Sequence, residues 1–169
     1  MCQHIINDFD NWSFIENGLG NSIDANNVFS SVLKTFESLL EVNMNQIGTV
    51  IIKYSPEGPM AISKKRPENR NIVSDFIILL KPAIIGDWRN TIYQVSHEIN
   101  HVILECDPYP SRTQFYWIYE MLSQLAVLII TKEIGTNIND VDLKINQGDL
   151  IRYHKESILD GILNIDIKY

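Results

Sequence analysis

Cysteine is scarce in this chain of 169 residues, which contains only Cys2 and Cys106. Two cysteines cannot build a framework of several disulfides, and no C-x-x-C pair is present for a redox site or a zinc ribbon. We therefore expect a reducing compartment and a fold that is held by an apolar core. With 45% apolar residues, the chain is long and apolar enough to bury such a core, so we predict one domain over residues 1–169.

Basic residues are also few, with 14 Lys and Arg against 21 Asp and Glu, and the net charge is −7. That balance disfavours a nucleic-acid partner, which requires a basic face. The longest apolar run, 125–130, is too short to span a membrane. The N-terminal residues have neither a basic nor an apolar signal region, so we expect a cytoplasmic protein. An effector exported by another route would lack that signal too.

The periodicity of the apolar residues predicts an α+β domain. Residues 1–21, which are rich in Asn, Asp and Gly, are expected to be irregular. The expected elements that follow are a helix capped by Ser22 or Asp24 and ending near Leu40, a hairpin of two antiparallel strands at 48–54 and 60–65, a buried strand at 72–82, a helix capped by Asp87 and ending near Glu105, a long buried helix at 112–134, and a tail helix at 149–159.

Two of the four histidines, His97 and His101, lie four positions apart in the segment HEINH. A helix places residues i and i+4 on one face, so both imidazoles can bind one tetrahedral zinc ion. Glu98 lies about 100° round the helix, close enough to reach a water on that zinc without being a ligand. Random order would produce this motif with a probability of roughly half a percent. The alternative is a polar helix face with two solvated histidines.

The apolar residues around the motif indicate which side of this helix is packed. They fall opposite the histidines, whereas Asn90 and Gln94 share the side of His97 and His101. This arrangement fits a helix that forms the floor of a cleft, and it also fits an amphipathic helix on the surface. The apolar positions are Trp88, Ile92, Val95, Ile99, Val102 and Ile103.

Glu120 lies in the segment 113–130, which is apolar on nearly all sides and therefore predicted to be a buried helix. A buried carboxylate is costly unless it is protonated, paired or bound to a cation. A zinc ion held by the two nearby histidines would satisfy Glu120. The alternatives are that Glu120 pairs with Arg112, Arg89 or a tyrosine hydroxyl, or that it lies at an edge open to water.

The motif HEINH followed nineteen residues later by Glu120 resembles the gluzincin pattern of zinc metallopeptidases. Within that group the chain is most similar to the small ImmA/IrrE-like metallopeptidases, over about residues 48–134. Ser123 and Gln124 match the small and amide residues that follow the glutamate there. The chain departs from the family at Asn100, where glycine is usual, and in IITKEIG, where a Leu-Met-Pro-like run is usual. No helix-turn-helix domain is recognisable, so a repressor substrate is not carried over.

The resemblance implies a minimal zincin-like domain, with a small antiparallel or mixed sheet packed against the motif helix and the buried helix that follows. It also implies a zinc-dependent metalloendopeptidase that acts on protein or peptide substrates. His97, His101 and Glu120 would be the zinc ligands, and Glu98 the general base that takes a proton from the zinc-activated water. The alternatives are a zincin fold that binds without cleaving, or a peptidase effector acting on a foreign target.

Several further residues are candidates for secondary roles. Asp107 is a rival third ligand, although Leu104 occupies the position where short zincins use a glycine bend. Gln124 is a candidate for orienting a ligand.

The strand FIILL is a candidate edge strand for substrate binding, but most of it is better assigned to the core. Candidate donors to the tetrahedral intermediate are Tyr116, Tyr153 and His154, whereas Glu105, Cys106 and His4 are expected to have no role in the site.

Overall fold

The computed structural model describes residues 2–16, 22–65, 71–81, 88–106 and 116–137. These residues form a five-stranded mixed sheet and three helices, which confirms the predicted α+β class. The elements in chain order are β1 Gln3–Ile6, β2 Phe9–Ile15, α1 Ser22–Leu40, β3 Val50–Tyr54, β4 Met60–Ser63, β5 Phe76–Leu80, α2 Trp88–Cys106 and α3 Tyr116–Asn137, with one turn of 3-10 helix at Met44–Gln46.

The N-terminal segment forms an antiparallel hairpin of β1 and β2, so the prediction of irregular structure there was wrong. The polar residues that suggested a loop are partly the turn itself, where Asp8 has a positive φ of 68°. Aspartate tolerates that conformation better than most residues. On β2, Phe9, Trp12 and Phe14 are fully buried and join the core. The two strands therefore extend the sheet beyond β3.

The strands lie in the order β1-β2-β3-β5-β4. The predicted hairpin of β3 and β4 was wrong, because β5 lies between them, parallel to β3 and antiparallel to β4. Four of the five residues of β5 are buried, whereas only Ser63 is buried on β4. The more apolar strand thus takes the inner position, with a neighbouring strand on each side. FIILL is therefore not an edge strand, and its assignment to the core is confirmed.

Helix α1 packs its predicted apolar face into the core, where Val28, Phe29, Val32, Leu33 and Phe36 are fully buried. Helix α2 follows the predicted bounds closely, and its proposed cap Asp87 lies outside the described residues. Helix α3 continues past Gly135, the predicted stop, to Asn137. The expected start of this helix at 112 and the tail helix at 149–159 lie outside the described residues. No described helix is both long enough and apolar enough to cross a bilayer.

A pH-dependent contact links the segment before β5 to the segment before β3. Hydrogen bonds from the backbone N–H and then the hydroxyl of Thr49, followed by the nearby charge of Lys64, lower the pKa of the exposed Asp75 carboxyl. A carboxylate whose pKa is lowered by folding stabilises the fold above its unfolded pKa, and loses that contribution as the pH falls through the folded pKa.

We therefore expect Asp75→Ala to lower the free energy of unfolding by about 1 kcal/mol at neutral pH. The difference from wild type should shrink as the pH falls below the usual aspartate range. Urea unfolding at a series of pH values measures it, with Asp10→Ala, an exposed aspartate on β2, as the control. A loss that is the same at pH 2.5 and pH 7 would contradict the electrostatic origin of the effect.

Candidate metal centre

The structure brings His97, His101 and Glu120 together between α2 and α3. The Nε2 atoms of the two histidines lie 3.1 Å apart. Oε2 of Glu120 lies 3.2 Å from Nε2 of His97, and Oε1 lies 3.3 Å from Nε2 of His101. One carboxylate thus contacts both imidazoles. Among the described residues, these three form a group of potential metal ligands.

The three separations can be compared with the ligand spacing around a tetrahedral metal ion. With metal–ligand bonds of about 2.0–2.1 Å, two ligands of a tetrahedral zinc lie roughly 3.3–3.4 Å apart. The two histidine nitrogens lie 3.1 Å apart, and each lies 3.2 or 3.3 Å from a different oxygen of Glu120, so each pair taken singly is close to that spacing. With one ligand atom from each residue, all three atoms lie within 4.8 Å of one another. Two imidazole nitrogens and a carboxylate oxygen also suit a divalent transition metal. The residues therefore fit a metal ion on chemistry and on spacing.

The side of α2 that carries the histidines is buried. His97 is 9% exposed, and Gln94, Glu98 and Asn100 are buried as well. The alternative of a polar helix face with two solvated histidines is therefore wrong for His97. His101 and Glu120 keep partial exposure, at 19% and 26% of their side chains. The site is thus buried on the His97 side and open to solvent beside His101 and Glu120.

Glu98 follows His97 directly and is only 4% exposed. Burial raises the pKa of its carboxyl above the ordinary glutamate value, while the neighbouring His97 and His101 oppose that shift. The charge of Glu120 adds to the increase, and the backbone N–H of Ala61 on β4 donates a hydrogen bond to the carboxylate. Glu98 therefore lies between the histidine pair and the edge strand of the sheet, in a site where carboxylate charge is poorly solvated.

Two hydrogen bonds join α2 to α3 beside these residues. The Oη atom of Tyr93 donates to Oε1 of Gln124 at 2.8 Å, and Nδ2 of Asn100 donates to Oγ of Ser123 at 3.0 Å. The ring of Tyr93 also stacks on His97, with centroids 6.4 Å apart. Gln124 thus reaches His97 through Tyr93. Tyr93 was not among the predicted site residues, although its position four residues before His97 places it on the same helix face.

The other candidates are placed differently. Asp107, Tyr153 and His154 lie outside the described residues, and the side chains of Tyr116, Glu105 and Cys106 are not described. His4 lies on β1, where it pairs with Glu16 at 3.0 Å and stacks on Phe14. The structure thus unites the three predicted ligands and leaves the rival ligand and the oxyanion donors as predictions.

Known proteins offer no further guide to this site. No protein-family model, curated protein or solved structure gives a significant match to the chain.

Proposed function

We propose that this protein is a zinc-dependent metalloendopeptidase of the gluzincin type. The single observation that carries the proposal is the convergence of His97, His101 and Glu120, whose ligand atoms lie within 4.8 Å of one another and make pairwise contacts of 3.1 to 3.3 Å. A buried Glu98 lies directly beside them. A structural zinc site is usually closed by four protein ligands, whereas three ligands and a neighbouring carboxylate are typical of a catalytic site.

The residues have separate roles in the proposed reaction. His97, His101 and Glu120 would hold the zinc, which supplies an acidified water and polarises the scissile carbonyl. Glu98 accepts the proton of the attacking water and delivers it to the leaving amine. Its buried position supports this role, because a pKa above the ordinary glutamate range brings a base closer to neutral pH. The partial exposure of His101 and Glu120 leaves a side from which substrate can enter.

The edge of the sheet supports a peptide as substrate. β4 pairs with β5 on one side, and on its other side no strand follows among the described residues, so β4 forms the edge of this sheet. An extended peptide can add to such an edge through main-chain hydrogen bonds. The N–H of Ala61 points at Glu98, so this edge runs past the proposed general base. We therefore assign the substrate-binding role to β4, in place of the strand FIILL.

The proposal predicts that the purified protein binds about one zinc ion per chain and cleaves peptides only when zinc is present. Because the ligands converge only in the folded chain, zinc at a hundred times its dissociation constant should raise the free energy of unfolding by about 2.7 kcal/mol. Metal analysis, thermal unfolding with and without chelator, and cleavage of a mixed peptide library measure these effects. A wild-type protein that binds no zinc, or binds zinc and cleaves no peptide, would contradict the proposal.

A further inference from the structure

The hydrogen bond between Asn100 and Ser123 is buried between α2 and α3. Asn100 is 7% exposed and Ser123 is fully buried. Asn100 directly precedes His101, and Ser123 lies one helical turn after Glu120. Each partner is therefore attached rigidly to a proposed ligand, through the backbone of its own helix.

The hydrogen bond between Tyr93 and Gln124 makes a second link between the same helices. Tyr93 lies one turn before His97, and Gln124 lies one turn after Glu120. The two hydrogen bonds thus involve residues two turns apart on α2, Tyr93 and Asn100. Their partners on α3 lie within the single turn between Glu120 and Gln124. Contacts spread in this way restrict both the sliding of α3 and its rotation about its axis.

Apolar packing alone would not fix that rotation. Helix α3 is apolar on nearly all sides, and it exposes Met121, Leu125 and Ile129 while burying Val127 and Ile130. Similar apolar side chains are available on either face, so burial distinguishes weakly between rotations of the helix. A buried polar pair distinguishes strongly between these rotations of α3, because any rotation that separates the two partners leaves their polar atoms without hydrogen bonds.

We propose that Asn100 and Ser123, together with Tyr93 and Gln124, are positioning residues that set the register of α3 on α2. This inference rests on the proposed metal site. A shift of one residue along α3 moves a side chain by about 1.5 Å and rotates it by about 100°. Such a shift would take Glu120 away from both imidazole nitrogens, which its two oxygens contact in the observed register. The hydrogen-bonded pairs therefore act on the metal through Glu120.

The test compares zinc affinity with the stability of the zinc-free protein in matched variants. Ser123→Ala removes the hydroxyl, and Tyr93→Phe removes only the Oη atom while keeping the ring that stacks on His97. We expect each variant to bind zinc about tenfold to a hundredfold more weakly, measured by competition with a chromophoric chelator. The absorption spectrum of the cobalt-loaded protein should change as well, because the ligand geometry changes.

Thr131→Val is the control, because Thr131 is a fully buried residue of α3 whose hydroxyl has no hydrogen-bond partner among the described residues. It should bind zinc as wild type does. A double-mutant cycle of Asn100→Ala and Ser123→Ala should show that the second substitution adds little to the loss of zinc affinity.

The outcomes separate this inference from the proposed function. If wild type binds zinc and Ser123→Ala and Tyr93→Phe bind it equally well with an unchanged cobalt spectrum, the positioning role is wrong and the metal site stands. If these variants lower the stability of the zinc-free protein without lowering its zinc affinity, the positioning role is also wrong, because the residues then have a structural role only. If wild type binds no zinc, both proposals are overturned.

Discussion

Glu98→Gln is expected to lower kcat for peptide hydrolysis about a thousandfold while zinc content stays at the wild-type level. Glutamine has nearly the same shape, and its side-chain oxygen can still accept the N–H of Ala61 that the Glu98 carboxylate accepts. It cannot accept a proton from water. The substitution therefore removes the proposed base without removing a proposed ligand. The measurement is the initial rate and the zinc content of the same sample.

The matched control is Glu57→Gln, which makes the same chemical change at an exposed turn before β4. It should leave the rate unchanged. In the wild type, activity should fall on the acid side as Glu98 becomes protonated, and burial of its carboxyl acts to move that fall to higher pH. A Glu98→Gln variant with wild-type kcat would exclude Glu98 as the base. A variant that loses its zinc would instead assign Glu98 to the metal shell.

Glu120→Ala is expected to weaken zinc binding on the order of a thousandfold, and Asp107→Ala is expected to leave it unchanged. Glu120 contacts both imidazole nitrogens from α3, so its loss removes one of the three proposed ligands and the carboxylate among them. His97→Ala and His101→Ala should have effects at least as large. Competition against a chelator of known affinity measures all four variants on one scale.

The comparison of Glu120 with Asp107 decides between the two third-ligand assignments. If Asp107→Ala loses zinc and Glu120→Ala keeps it, the third ligand has been assigned wrongly and the contact between Glu120 and the histidines is only an ion pair. If both variants lose zinc, the ligand set is larger than three. Circular dichroism of each zinc-free variant provides the control, because a ligand substitution should leave the helix content unchanged.

The sheet shows where prediction from the sequence failed. The strands 48–54 and 60–65 are joined by a turn, and local reasoning therefore paired them. The actual neighbour of both is β5, which arrives later in the chain and inserts between them. Strand pairing depends on contacts distant in the sequence, which local patterns do not encode. The N-terminal hairpin was missed for a different reason, since the many Asn, Asp and Gly residues of 1–21 outweighed the short alternation at Trp12 and Phe14.

The sequence by itself determined the local geometry of the site. Helical periodicity alone places His97 and His101 on one face of α2 and offsets Glu98 beside them, because 3.6 residues per turn leave little freedom. It also indicated that a glutamate within an apolar helix needs a partner. Only the tertiary structure decided that Glu120 contacts both histidines, and that β4 is the edge strand next to Glu98. Those relations depend on how separate elements pack, and the spacing of residues within one helix does not encode which residues of another element they meet.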